Sequence, residues 1–101
     1  MRDEELIRDL KRGRLVLLEP GEESTTLAAA RIVRRDYTCV AGCIRILVAD
    51  DLVVVQEETE TGERLLRGMS SLEHALAFVE RRLESYAPLW RGLACPIEGC
   101  P

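Results

Sequence analysis

Four cysteines are the residues of this chain best suited to chemistry, and they fall into two pairs. Cys39 and Cys43 are spaced C-x3-C, and Cys95 and Cys100 are spaced C-x4-C. Four thiolates can close a tetrahedral zinc site, and two pairs can close disulfides instead. Geometry restricts both. In an unbroken strand residues 39 and 43 point to the same face but lie about 13 Å apart. A disulfide needs Cα atoms within roughly 4.4 to 6.8 Å. The first pair can therefore join, or share a metal, only if Val40-Ala41-Gly42 forms a turn or a pronounced bulge.

The second pair is easier to close, because Pro96 and Gly99 inside CPIEGC favour a tight loop. That loop loosely resembles a zinc knuckle, whose usual spacing is C-x2-C. For Cys39 and Cys43 the expected state is that of small buried hydrophobes, since free cysteine is commonly buried. Disulfides, Cys95–Cys100 first among them, and a four-cysteine zinc site are the alternatives. Neither a C-x2-C nor a local activating group marks a redox thiol.

Other chemistry is thin. His74 is the only histidine, so any Ser-His or Cys-His arrangement would have to use it, and no serine sits in a G-x-S-x-G setting. Asp50-Asp51 reads as a turn. Adjacent strand residues point to opposite faces, so neither this pair nor Glu57-Glu58 converges by itself. Asp51 and Glu57 are a remote candidate for one shared cation. No glycine-rich phosphate loop is present. Arg31, Arg34, Arg35 and Arg45 are candidates for one basic patch, and Arg64, Arg67, Arg81 and Arg82 for another. The simpler reading pairs them with the many glutamates.

The elements that must position these residues centre on Ile44–Val55, IRILVADDLVVV. It is the most apolar and most β-branched stretch and reads as two strands around an acidic turn. Tyr37 to Ala49 reads as one strand, apolar on both faces apart from Arg45, with a bulge at Ala41-Gly42. Leu52–Glu58 and Glu63–Arg67 continue an antiparallel β-meander through a turn at Thr61-Gly62. Residues 2–12 form an amphipathic helix stopped by Gly13, and Arg14–Glu19 a short strand ended by Pro20-Gly21. Residues 24–35, STTLAAARIVRR, fit a helix capped by Ser24 or Thr25 slightly better than a strand.

The last helix begins with the capping box of Ser70 and Glu73 and ends by Pro88. Leu72, Ala75, Leu76, Val79, Leu83 and Tyr86 form its apolar face, with Phe78 at the border, and His74 points outward. Helix, three strands and helix is an order that resembles double-stranded-RNA-binding domains. The resemblance ends there, because the basic helix start of such domains is replaced by SSLEHAL.

The expected fold class is thus α+β: an antiparallel β-meander of three to five strands covered by a C-terminal amphipathic helix, with an N-terminal helix. Residues 1–88 form a single domain and 89–101 a tail containing Cys, Pro and Gly. At 101 residues one core is the limit. With aromatics at only 4%, that core must be aliphatic. A net charge of −4 argues against a phosphate-binding surface over the whole molecule. All of the 14 basic residues except Lys11 are arginine, which suits a GC-rich genome. No run of about 20 apolar residues crosses a membrane, and the charged start MRDEELIRDLKRGR has no signal region, so the expected location is cytoplasmic.

The function expected is a small non-catalytic protein-interaction or regulatory module without a cofactor. It would self-associate or bind a protein partner, because the 37–49 run needs a second cover. The first alternative is a nucleic-acid-binding module using Arg31, Arg34, Arg35, Arg45, Arg64 and Arg67. The second is a zinc protein using Cys39, Cys43, Cys95 and Cys100.

Overall fold

A computed structural model describes residues 3–39 and 42–92. Its elements, in chain order, are α1 (Asp3–Lys11), β1 (Leu15–Leu18), α2 (Thr25–Ala28), β2 (Arg31–Cys39), β3 (Gly42–Ala49), β4 (Leu52–Thr59), β5 (Arg64–Met69) and α3 (Leu72–Gly92). The five strands form one antiparallel sheet in the order β1-β5-β4-β3-β2. Strands β2 to β5 are the meander. Strand β1 comes first in the chain yet lies beside the last strand.

Period-two alternation sorts the strand residues onto two faces, and helices cover both. On one face Leu47, Leu52, Val54, Leu66, Val16 and Leu18 pack with Leu6 and Leu10 of α1 and Leu27 of α2. On the other, Ile44, Ile46 and Val55 pack with Ala75 and Val79 of α3. The second cover for β3 is therefore supplied within the chain, by α2, while α1 covers β1, β5 and β4 on the same face. Burying both faces explains why β3 and β4 carry so little polarity at Ile46–Val48 and Leu52–Val55.

Local chemistry explains the helix ends. Acidic residues open α1 and Arg8 and Lys11 lie in its last turn, opposing the helix dipole. Gly13, at φ 76°, closes it. The Gly13 amide donates to the Leu10 carbonyl and the Arg14 amide to the Asp9 carbonyl, satisfying two orphan acceptors at once. Asp50 takes the left-handed φ of 54° that aspartate tolerates, turning β3 into β4.

Four expectations need correction. Residues 24–35 are not one helix: Ser24 caps α2, its hydroxyl accepting from the Leu27 amide, but Arg31 onward is strand. Pairing of Arg31–Asp36 with Ile44–Val48 outweighs the helix preference of the alanines, and Ile32 and Val33 favour it. Tyr37 to Ala49 is likewise not one strand. It belongs to two, β2 and β3, with Cys39 opposite Gly42; Val40 and Ala41 lie outside the described residues.

The third correction concerns the start of α3. Ser71, not Ser70, accepts the capping hydrogen bond, from the His74 amide at 3.1 Å. Leu72, in the first turn, is 41% exposed rather than part of the apolar face. The fourth concerns its end: α3 runs through Pro88 to Gly92. Proline removes one backbone donor and strains one turn, a cost of about 3 kcal/mol that does not forbid continuation.

Candidate functional site

The sequence-derived candidates are dispersed. The backbone turns between β2 and β3, so Cys39 stands across from Gly42, next to Cys43, instead of being separated along an extended strand. Cys43 is half-buried and opposite Glu58, with its Sγ 3.9 Å from the Ile44 carbonyl oxygen. Cys95 and Cys100 lie outside the described residues. Among the described residues no group of three or more His, Cys, Asp or Glu side chains is placed to hold a metal. Asp51, in the β3–β4 turn, pairs with Lys11 at 3.5 Å, whereas Glu57 lies near the far end of β4. They do not share a site.

The arginines divide between the two faces. Arg31, Arg34 and Arg67 belong to the α3 face, as their partners Val48, Ile46 and Val55 show. Arg34 bridges Asp36 and Glu80. Arg67 lies over the Phe78 ring, 4.9 Å from its centre, and 3.8 Å from Glu57. Arg82 of α3 reaches the same carboxylate at 3.1 Å. This half-buried Glu57 centre pins α3 to the sheet. His74 is exposed on α3 with Nδ1 3.0 Å from the Ser70 hydroxyl.

Arg35, Arg45 and Arg64 belong to the opposite face, and there Arg45 and Arg64, but not Arg35, line an arrangement that sequence reading did not find. Beyond the ground covered by α1, a groove of about 410 Å³ opens between α2, the segment around Pro20–Ser24, and the sheet. Register explains its floor. One transverse row runs Arg35 (β2), Arg45 (β3), Gln56 (β4), Leu66 (β5) and Val16 (β1). The next runs Cys43, Glu58, Arg64 and Leu18. Diagonal neighbours in adjacent rows are about 7–8 Å apart, within reach of long polar side chains such as Arg45 and Glu58. Leu27, Ala30, Ile32 and Leu47 make the apolar wall.

The electrostatics of that floor are specific. The Arg45 Nη1 donates to Glu58 Oε1 at 3.2 Å, while its Nε is buried without a hydrogen-bond partner among the described residues. Arg64 donates to the Glu22 carbonyl, tying the β1–α2 connection to β5. Arg35 stands directly opposite Arg45 and makes no ion pair with a described residue. Like charges directly opposite across strands are destabilising. Gln56 is only 6% exposed, and its amide has no hydrogen-bond partner among the described residues. The only sequence signal was one glutamine in the β4 run VVVQEE, where alternation calls for an apolar residue.

At the rim, Asp3 ties α1 to α2. Its carboxylate accepts from the Ser24 hydroxyl and, at 2.7 Å, from the Thr26 hydroxyl. The Ser24 bond first, then the Thr26 bond, hold the Asp3 carboxyl below its ordinary pKa. The groove sets two guanidinium groups, Arg45 and Arg64, two carboxylates, Glu23 and Glu58, and the Gln56 amide beside an apolar wall, a combination suited to binding. Elsewhere, β1 presents an unpaired backbone edge with Leu15 and Leu17 exposed by 52% and 51%. Among the described residues no helix is long and apolar enough to cross a membrane. Compared with known proteins, the chain matches no family model, no curated protein and no solved structure.

Proposed function

We propose that this chain is a small non-catalytic interaction module that self-associates through the edge of β1. The carrying observation is the pair of exposed leucines, Leu15 and Leu17, on a strand whose outer backbone edge is unpaired. An open edge is a template for another strand, and proteins usually guard one with charges, bulges or proline. The other edge, β2, is guarded: it carries Arg31, Arg34, Arg35 and Asp36 and two register irregularities. Strand β1, LVLL, has none of these.

Symmetry selects the register. An antiparallel β1–β1 pair about a two-fold axis keeps each face continuous only if directly opposed residues share a face. Centring the axis on Val16 does so. It sets Leu15 of one copy against Leu17 of the other, twice, and builds a four-leucine cluster beside Leu65. The contact is short, so the dimer is weak by comparison with standard interfaces.

The nucleic-acid alternative draws less support, because its six arginines are split between two faces and several are ion-paired. Sedimentation velocity tests the proposal from low micromolar to near-millimolar concentration. The expected result is a monomer–dimer equilibrium that Leu17→Arg shifts to monomer with an unchanged circular dichroism spectrum. A monomer throughout the range, or a Leu17→Arg variant that dimerises as well as the parent, overturns it.

A further inference from the structure

We propose that the β1 edge is selective for an antiparallel second copy because Arg14 of each copy pairs with Glu19 of the other. This rests on the β1 contact proposed above and names what chooses the partner strand. The carrying observation is a charge polarity along the edge. Arg12 and Arg14 stand before Leu15–Leu18, and Glu19, Glu22 and Glu23 follow it. Arg12, Arg14, Glu19 and Glu23 are exposed. Arg12, Glu19 and Glu23 make no ion pair with a described residue. Arg14 lies 3.7 Å from Asp9 of its own chain. A guanidinium carries five donors, so that exposed pair does not exhaust it. Glu22 turns back to accept from the Glu19 amide, which leaves the Glu19 carboxylate as the charge nearest the strand.

Register brings the flanks together. With the two-fold axis at Val16, Arg14 of one copy stands opposite Leu18 of the other, and that copy's Glu19 is the next residue along. Neighbouring strands are about 4.8 Å apart and successive residues about 3.4 Å, so these Cα atoms lie roughly 6 Å apart, within reach of both side chains. Both residues lie just outside β1, so strand alternation does not force them onto opposite faces. The axis repeats the contact at the other end.

Orientation decides the sign. An antiparallel pair sets the basic flank on the acidic flank at both ends. A parallel pair sets Arg14 against Arg14 and Glu19 against Glu19, repulsive at both ends. The run LVLL reads much the same in either direction, so its leucines do not make this choice. A single exposed ion pair contributes little. A change from attraction to repulsion at two places separates the orientations, and charges across an interface act mainly through such selection.

Sedimentation equilibrium of the full chain, of Arg14→Glu, of Glu19→Arg and of an equimolar mixture of the two variants tests this. Each variant carries flanks of one sign, so its own dimer should be weakened at least about tenfold in Kd. Glu19→Arg reduces the net charge of −4, so its weakening cannot come from overall repulsion. Mixed, the two variants should dimerise with about the parent's Kd, because both flank pairs are again opposite in sign. Circular dichroism establishes that each variant is folded. If Arg14→Glu does not fold, Glu19→Arg carries the test by weakening the dimer more than Glu19→Gln, which removes the pair without creating repulsion. A parent that stays monomeric overturns the β1 contact and this proposal with it. A parent dimer that Leu17→Arg disrupts but Glu19→Arg leaves intact overturns the ion pairs alone, as does failure of two folded variants to recover on mixing.

Discussion

Gly68 shows how a single residue can set the spacing between two layers. It faces α1 from near the end of β5, and a Cβ placed there would lie 1.6 Å from the Leu10 carbonyl oxygen. That oxygen belongs to the backbone of the last turn of α1, held by the Gly13 and Arg14 amides described above, so it cannot swing aside. Gly68→Ala must push α1 off the sheet. Overpacking costs about 1–3 kcal/mol where side chains can adjust, and here they cannot. We expect at least about 3 kcal/mol, or roughly 10 °C or more in Tm for a domain of this size. Thermal denaturation checks it, and an unchanged Tm would show that α1 does not approach β5 this closely. A glycine inside a strand run is a sequence signal for close backbone approach. What approaches it cannot be read from RLLRGM alone.

Among the elements, the ones most legible in the sequence were those whose signals are local. Gly13 as the stop of α1, Asp50-Asp51 as a turn and the apolar face of α3 at Ala75, Val79 and Leu83 all followed from periodicity and capping chemistry. The errors arose where a distant partner decided. Arg31–Val33 is strand because β3 is beside it, and residues 37–49 read as one strand because valine and isoleucine look alike on either side of a turn. The groove was invisible for the same reason. Its floor exists only through the registers of Arg45 with Gln56 and Glu58 with Arg64.

The Asp3 tie between α1 and α2 belongs to this scale too, and it is pH-sensitive. The folded-state pKa of Asp3 is depressed, so the stabilisation is present above the unfolded value of about 3.9 and is lost as pH falls through the folded value. The sign is that of destabilisation by acid. Asp3→Asn should lower Tm at neutral pH and reduce the further loss on acidification below about pH 4, compared with the parent. Chemical denaturation at neutral and acid pH reads the difference. Parallel acid profiles for parent and variant would remove Asp3 from the account.

At the scale of the whole molecule, both sheet faces are covered by the chain itself, so self-association is not needed to complete the core. It has to be argued from the edge. A dimer that forms only from folded chains makes unfolding depend on mass action. The Tm of the parent should therefore rise with protein concentration, and that of Leu17→Arg should not. Scanning calorimetry over the concentration range used for sedimentation provides the measurement, and a flat Tm for the parent would count against the β1 contact.

The position of β1 beside β5 carries one more consequence, for the order of events in time. Leu15 must find Arg67, closing a loop of roughly fifty residues, and the entropy of such a closure has to be met before the contacts repay it. The β2–β5 hairpins close over short turns. During synthesis the N-terminal segment leaves the ribosome first, yet its place beside β5 exists only after β5 itself has emerged. Until then Leu6, Leu10, Val16 and Leu18 have no sheet to rest on, and this hydrophobic surface stays exposed longer than that of the β2–β5 hairpins.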